Sequence, residues 1–259
     1  MTLDFGLDGR RALVTGAGQG VGAGIAHTLA AAGVDVVVND FFADRAEAVA
    51  SAIVAAGGHA STSVFDVTDY GVVRDAVDAL GPVDILVNNA GNAGMEGFGA
   101  LAAFVDTSPA DWAKYLAVNL HGVMNCVHAA VPAMIDAQWG RVITMVSDAA
   151  RTGDAQMAAY SAAKAGAAGF SRAIATEVAR HGITVNTVAL GTMHTPVSAA
   201  LWDDPTKVDQ QRALMSSYLV RRPGEPDDAA WMVATLASPR ASWITGQTIP
   251  VNGGRSFSL

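Results

Sequence analysis

Cysteine is almost absent from this sequence. The single thiol, Cys126, excludes an intramolecular disulfide, which suits a reducing compartment. Its setting, VMNCVHAAVPAMI, is an apolar helical pattern, so a buried structural thiol is expected rather than a nucleophile. Basic runs are also missing. The densest pairs are Arg10–Arg11 and Arg221–Arg222, and the formal net charge is −8. Nucleic acid and anionic membrane are therefore not expected as partners. No 18 consecutive apolar residues occur, so no membrane span is expected. The N-terminal MTLDFGLDGRRALVTG has no apolar segment behind a basic start, so no secretory signal is expected and a cytoplasmic location is. No linker, low-complexity tract or internal repeat divides the chain, and no metal site is expected.

What is present suits a large folded core. Of 259 residues, 51% are hydrophobic and 15% charged, too apolar a balance for disorder. Residues 1–259 read as one domain. Short β-branched runs at 11–16, 34–40, 61–67, 83–89, 141–147, 183–190 and 247–253 read as strands. Several are apolar over four or five consecutive residues, as strands covered on both faces are. Helical patterns lie between them at 20–32, 43–56, 69–79, 109–137, 157–180 and 226–237. This alternation predicts an α/β fold: a doubly wound, parallel, seven-stranded sheet of the Rossmann type with helices on both faces. The irregular section from 191 to 225 follows a late strand. It is either a structural excursion or, over 192–225, a substrate-binding lid.

The loop TGAGQGVG (15–22) follows the first strand and opens a helix. Glycines let the backbone turn sharply and approach a pyrophosphate closely. The helix start then offers free N–H groups and a positive dipole end. Asp40 ends the second strand twenty residues beyond Gly20. A carboxylate there can accept hydrogen bonds from both adenosine ribose hydroxyls and would repel a 2′-phosphate. No Arg or Lys lies in the loop, where Gln19 stands, or directly after Asp40, where Phe41 and Phe42 follow. NAD(H) is therefore expected over NADP. Asp66 ends the third strand within reach of an adenine amino group. NNAG (88–91) ends the fourth, where backbone would lie beside the ribose.

The segment YSAAK (160–164) places Tyr160 and Lys164 one helical turn apart on one face. Alone, such a pair is an ordinary feature of a helix surface. Hydride transfer between a secondary alcohol and nicotinamide needs a proton acceptor near the alcohol oxygen. A free tyrosine, with a pKa of about 10, is too weak a base near neutrality. A cation at about 4 Å, in an effective dielectric of about 20, is worth roughly 4 kcal/mol. It could lower the phenol by up to about three pH units. Lys164 is placed to supply that field, and its three donors can also hold ribose hydroxyls.

TGAGQGVG, NNAG, Asn119, Ser147, YSAAK and the terminal TGQTIPVNGG stand in the order and spacing of the short-chain dehydrogenases/reductases. The sequence resembles that family from residue 8 to residue 254. The resemblance implies a catalytic tetrad of Asn119, Ser147, Tyr160 and Lys164, and membership of the single-domain NAD-dependent branch. Asn119 would bind a water that links Lys164 to bulk solvent, and Ser147 would hold the substrate oxygen beside Tyr160. Cofactor contacts are expected from Thr15, Gly16, Gln19, Gly20, Val21 and Gly22, and from Asp40 and Phe41. Further contacts are expected from Asp66, Val67, Asn89, Ala90, Gly91, Tyr160, Lys164, Gly191, Met193 and Thr195. Met193 could instead line the substrate pocket.

The sequence departs from the family where Leu190–Gly191 replaces Pro-Gly, which frees one φ and adds an N–H. The glycine-rich 92–104 is expected to shape a pocket wall. The phrase SDAAR (147–151) resembles that of family members that act on acyl-CoA thioesters, or is simply a local Asp148–Arg151 ion pair. A homotetramer is expected from the resemblance, with Trp243, Phe257 and Leu259 near one interface; a dimer is also compatible. The expected activity is NAD-dependent interconversion of a secondary alcohol and a ketone, on an apolar substrate such as a hydroxyacyl thioester, a sterol-like ring or a cyclic alcohol. The alternative is a non-catalytic NAD(H)-binding sensor or scaffold.

Overall fold

A computed structural model describes residues 5–91 and 102–257. The strands are β1 (Arg11–Val14), β2 (Asp35–Val38), β3 (His59–Thr62), β4 (Ile85–Asn88), β5 (Gly140–Ser147), β6 (Ile183–Leu190) and β7 (Thr248–Val251). They form one seven-stranded sheet in the order β3-β2-β1-β4-β5-β6-β7, and every pairing is parallel. The order reverses between β1 and β4, which opens a crevice at the carboxyl ends of the strands.

The helices are α1 (Gly20–Ala31), α2 (Ala43–Ala55), α3 (Tyr70–Leu80), α4 (Pro109–Leu116), α5 (Gly122–Ala137), α6 (Ala149–Thr152), α7 (Ala158–Val178), α8 (Ala199–Trp202), α9 (Val208–Met215) and α10 (Pro226–Ala237). Two cores explain the apolar strand runs. Ala12, Val14, Val36, Val38, Ile85 and Val87 face α1, α2 and α10. Leu13, Val37 and Leu86, the residues between them, face α3, α5 and α7. A period of two with both faces covered makes both sets of side chains in these strands apolar.

Two elements differ from the sequence pattern. The third strand, expected over 61–67, lies at His59–Thr62. Pairing with β2 ends at Val38↔Thr62. Beyond it, Asn39 Nδ2 donates to the Ser63 and Phe65 carbonyls at 2.9 and 3.1 Å. A side chain thus replaces the ladder, and Phe65 and Val67 turn into the core. The helix expected over 109–137 is interrupted by a wide π-turn at Ala117–His121. Asn119 Nδ2 takes the Tyr115 carbonyl at 2.9 Å, the acceptor that an α-helical N–H four residues on would use. Such turns often occur at functional sites.

Candidate active site

The crevice is a cavity of about 870 Å³. Strand ends and helix starts supply its wall, because every strand runs in the same direction. At one end, Gly16 and Gly20 turn with φ of +60° and +56°. A Cβ on Gly16 would come 2.8 Å from the Ala90 backbone. A Cβ on Gly22 would strike the Gly16 carbonyl and the Asn89 amide. These close approaches bring the start of α1 against the end of β4. Gln19 leaves that helix start without a side-chain cap, and its first turn carries no acid. The uncapped N–H groups and absent Cβ atoms fit an anionic dinucleotide.

Asp40 is buried, and both its oxygens are held. Oδ2 accepts the Gly18 N–H at 3.0 Å, and Oδ1 accepts the Phe42 N–H at 3.0 Å. The carboxylate is thereby fixed, with lone pairs left for ribose hydroxyls. Asp66 is held by Thr68, whose N–H and Oγ1 both reach Oδ1 at 2.8 Å. Arg45 also lines the cavity, which reading only the two residues after Asp40 missed. Its guanidinium lies 4.3 Å from the Phe42 ring centroid. The signal was present in the sequence: Arg45 falls in the first turn of the helix that follows β2.

At the other end stand Ser147, the last residue of β5, and Tyr160 and Lys164 on α7. The α7 face bearing Tyr160, Ala163, Lys164 and Ala167 is buried, so the alanines let the helix lie close to the sheet. Tyr160 shares a hydrogen bond with Ser147. Lys164 Nζ donates to the Met145 carbonyl at 2.8 Å and lies 5.9 Å from the Tyr160 ring centroid. Burial pushes the phenol up to about 12 despite the Ser147 bond, and pushes the ammonium down to about 8. The expectation that Lys164 lowers the phenol is therefore not met in the protein alone. Both residues are more than nine-tenths buried, and desolvation favours the neutral form of each.

Eighteen of the expected site residues line this one cavity: Gly16, Gln19, Gly20, Val21, Gly22, Asp40, Phe41, Asp66, Val67, Asn89, Ala90, Gly91, Ser147, Tyr160, Lys164, Gly191, Met193 and Thr195. Thr15 and Asn119 stand behind the wall. Thr15 is buried, and its Oγ1 accepts the N–H groups of Asn89 and Ala90 at 3.0 and 3.1 Å, so it braces the loop. Asn119 is fully buried. A Cβ on Gly91 would lie 3.0 Å from Asn119 Oδ1 and 3.1 Å from Lys164 Nζ. Glycine there keeps the amide and the ammonium close together.

Other expectations resolve locally. Leu190 carries β6 to its end, pairing with both Ser147 and Val251. Asp148 and Arg151 do form an ion pair, at 3.1 Å. Asp148 also accepts from Asn252 Nδ2 at 2.7 Å and from Ser256 Oγ at 3.0 Å, which ties the C-terminal segment to the residue after Ser147. The section 191–225 folds into α8 and α9, a Met193↔Gly224 bridge closes it on itself, and its first residues line the cavity. Most of the wall expected from 92–104, and Leu259, lie outside the described residues. Among the described residues no cluster of metal ligands occurs, and no helix is long and apolar enough to cross a membrane.

A crevice at the switch point of a parallel sheet, with Ser147 beside the buried Tyr160 and Lys164 at one end, defines a dinucleotide-dependent oxidoreductase class. The short chain dehydrogenase family model matches residues 10–206. The chain is 40% identical over 98% of its length, and 99% of the relative's, to the hydroxy(phenyl)methyl-succinyl-CoA dehydrogenase subunit BbsD of Thauera aromatica. It is 38% identical to the 3-oxoacyl-acyl-carrier-protein reductase FabG of Escherichia coli, over 95% of this chain and 97% of that one. A gluconate 5-dehydrogenase from Burkholderia cenocepacia, solved with NADP and tartrate, superposes with a TM-score of 0.88 at 33% identity, covering 99% of this chain and 98% of that one. The chain belongs to the short-chain dehydrogenases, oxidoreductases that bind a nucleotide cofactor and act on hydroxyl or keto groups.

Proposed function

We propose that this protein is an NAD-dependent oxidoreductase that interconverts a secondary alcohol and a ketone. The carrying observation is one cavity with Ser147, Tyr160 and Lys164 at one end and the fixed carboxylate of Asp40 at the other. The glycine loop and the start of α1 would hold the pyrophosphate, Asp40 the adenosine ribose, and Lys164 the second ribose. The dinucleotide supplies or accepts the hydride.

Ser147 orients the substrate oxygen toward the Tyr160 hydroxyl. With a phenol at about 12, the resting residue is protonated at neutral pH, the form required to donate a proton to a ketone oxygen. Lys164, at about 8, is still mainly charged at pH 7 and able to hand on a proton. Asn119 fixes the Tyr115 carbonyl and stands beside Lys164, where it supports that relay. NAD is favoured because Asp40 repels a 2′-phosphate, although Arg45, which also lines the cavity, would attract it. The relative named for a hydroxy(phenyl)methyl-succinyl-CoA substrate supports a thioester-bearing, partly apolar substrate. Trp243, 98% exposed, and Phe257, 72% exposed, support a homotetramer.

Tyr160→Phe removes the exchangeable proton and little else. Turnover is expected to fall at least about 10²-fold, while the cofactor dissociation constant stays within about twofold. Retained turnover would remove the proton-transfer role. Cofactor binding without turnover of any alcohol or ketone by the native protein would instead favour the sensor.

A further inference from the structure

Beyond Tyr160 the site opens into a second, smaller pocket of about 160 Å³. Aromatic side chains line much of it. Phe104 and Trp112 stack with ring centroids 4.9 Å apart and planes 17° apart. Tyr115 meets Tyr160 edge-on at 6.2 Å and 72°, and Met157 lies across from them. Lys114, Met157 and Tyr160 line both this pocket and the main cavity, so the two adjoin at Tyr160.

Size, shape and charge each restrict what fits. A volume of about 150 Å³ holds a benzene molecule, so this pocket has room for one six-membered ring. Planar aromatic walls and a thioether favour a flat ring over a puckered one. Two carboxylates border the pocket, Asp106 and Asp111. Asp111 is held as an anion by the Ser108 N–H and hydroxyl, at 2.9 and 2.7 Å. Lys114 also lines the pocket, so two carboxylates face one ammonium there and the balance of charge disfavours an anionic substituent.

We infer that the pocket beside Tyr160 is a subsite for a neutral aromatic ring carried directly on the carbon that is oxidised or reduced. The substrate class is then an aryl carbinol or aryl ketone, its remaining arm lying in the main cavity. This rests on the alcohol–ketone reading above and specifies the substrate for it.

The test compares three neutral ketones in the full-length protein with NADH and NADPH: ethyl benzoylacetate, ethyl acetoacetate and the cyclohexyl analogue of the former. The phenyl ketone should exceed the methyl ketone in kcat/KM by about tenfold or more. It should exceed the cyclohexyl ketone by about threefold or more. Ala158→Phe, a change at the exposed rim of the pocket, should lower the phenyl ketone several times more than the methyl ketone. Equal values for phenyl and cyclohexyl, or an equal loss on all three in Ala158→Phe, overturn the subsite while leaving the oxidoreductase reading intact. If none of the ketones is reduced, the oxidoreductase reading is the one in question. Saturation-transfer NMR then reads the subsite alone: signal on the phenyl protons that disappears in Ala158→Phe supports it, and no signal in the native protein refutes it.

Discussion

Lys164 is the most exacting test of the site, because its burial has a measurable pH signature. Its ammonium is pushed from 10.5 to about 8 by desolvation. Below pH 8 both the folded and the unfolded chain hold this proton, and burial of the charge is a constant cost. Between pH 8 and 10.5 the folded chain releases it while the unfolded chain keeps it. The unfolded state then binds more protons, so stability rises with pH across that window. At about 1.36 kcal/mol per pH unit, the native protein should gain about 2.5 kcal/mol between pH 7 and pH 10 from this group. Lys164→Met cannot show that gain. The variant also leaves the Met145 carbonyl without its ammonium donor, at a cost of about 1–3 kcal/mol, but that offset does not vary with pH. The ionisation of Tyr160 is common to both proteins and drops out of the difference. Urea unfolding at pH 7, 8, 9 and 10 should therefore show the native protein gaining on the variant through this window. A pH-independent difference would mean that the ammonium is hydrated in the folded protein, and the relay argued for Tyr160 would lose its premise.

Gly22→Ala places a Cβ against the Gly16 carbonyl and the Asn89 amide. A loss of roughly 1–3 kcal/mol in stability and a weakening of NADH binding are expected, read by thermal melts with and without NADH; a melt unchanged in both would contradict the tight approach of α1 to β4. Asp40→Asn keeps the carboxylate's shape and removes its charge. The ratio of NAD to NADP efficiency should fall by about tenfold or more, and an unchanged ratio would show that this group does not choose the cofactor.

The sheet was legible because both faces are covered: LVTG, VVVN and ILVN read as strands without any tertiary information. The proposed catalytic groups could be picked out only jointly: Tyr160 and Lys164 are one turn apart and Ser147 ends its strand, in the order the family resemblance implies. What stayed hidden depends on side chains that replace backbone partners. Asn39 ends β3 early by taking the Ser63 and Phe65 carbonyls, and an apolar run through Val67 gives no sign of it. Arg45 is near Asp40 only because the chain turns between β2 and α2. The elevated phenol was not legible either, because spacing reveals a neighbouring charge but not the water that burial removes.

These departures from local expectation are not scattered. The π-turn at 117–121 carries Asn119 to Lys164. The early end of β3 brings Asp66 and Val67 to the cavity wall. The buried ammonium of Lys164 stands beside the Tyr160 phenol. A fold optimised for stability alone would continue the helix, extend the strand and place an apolar side chain at 164. Natural sequences break such rules chiefly where function requires it. The three breaks converge on one cavity from three separate elements, which argues that the cavity, and not any one motif, is what this chain is built to maintain. The Lys164→Met variant separates these alternatives: greater stability at pH 7 together with lost turnover would mark the lysine as kept for chemistry against the preference of the core.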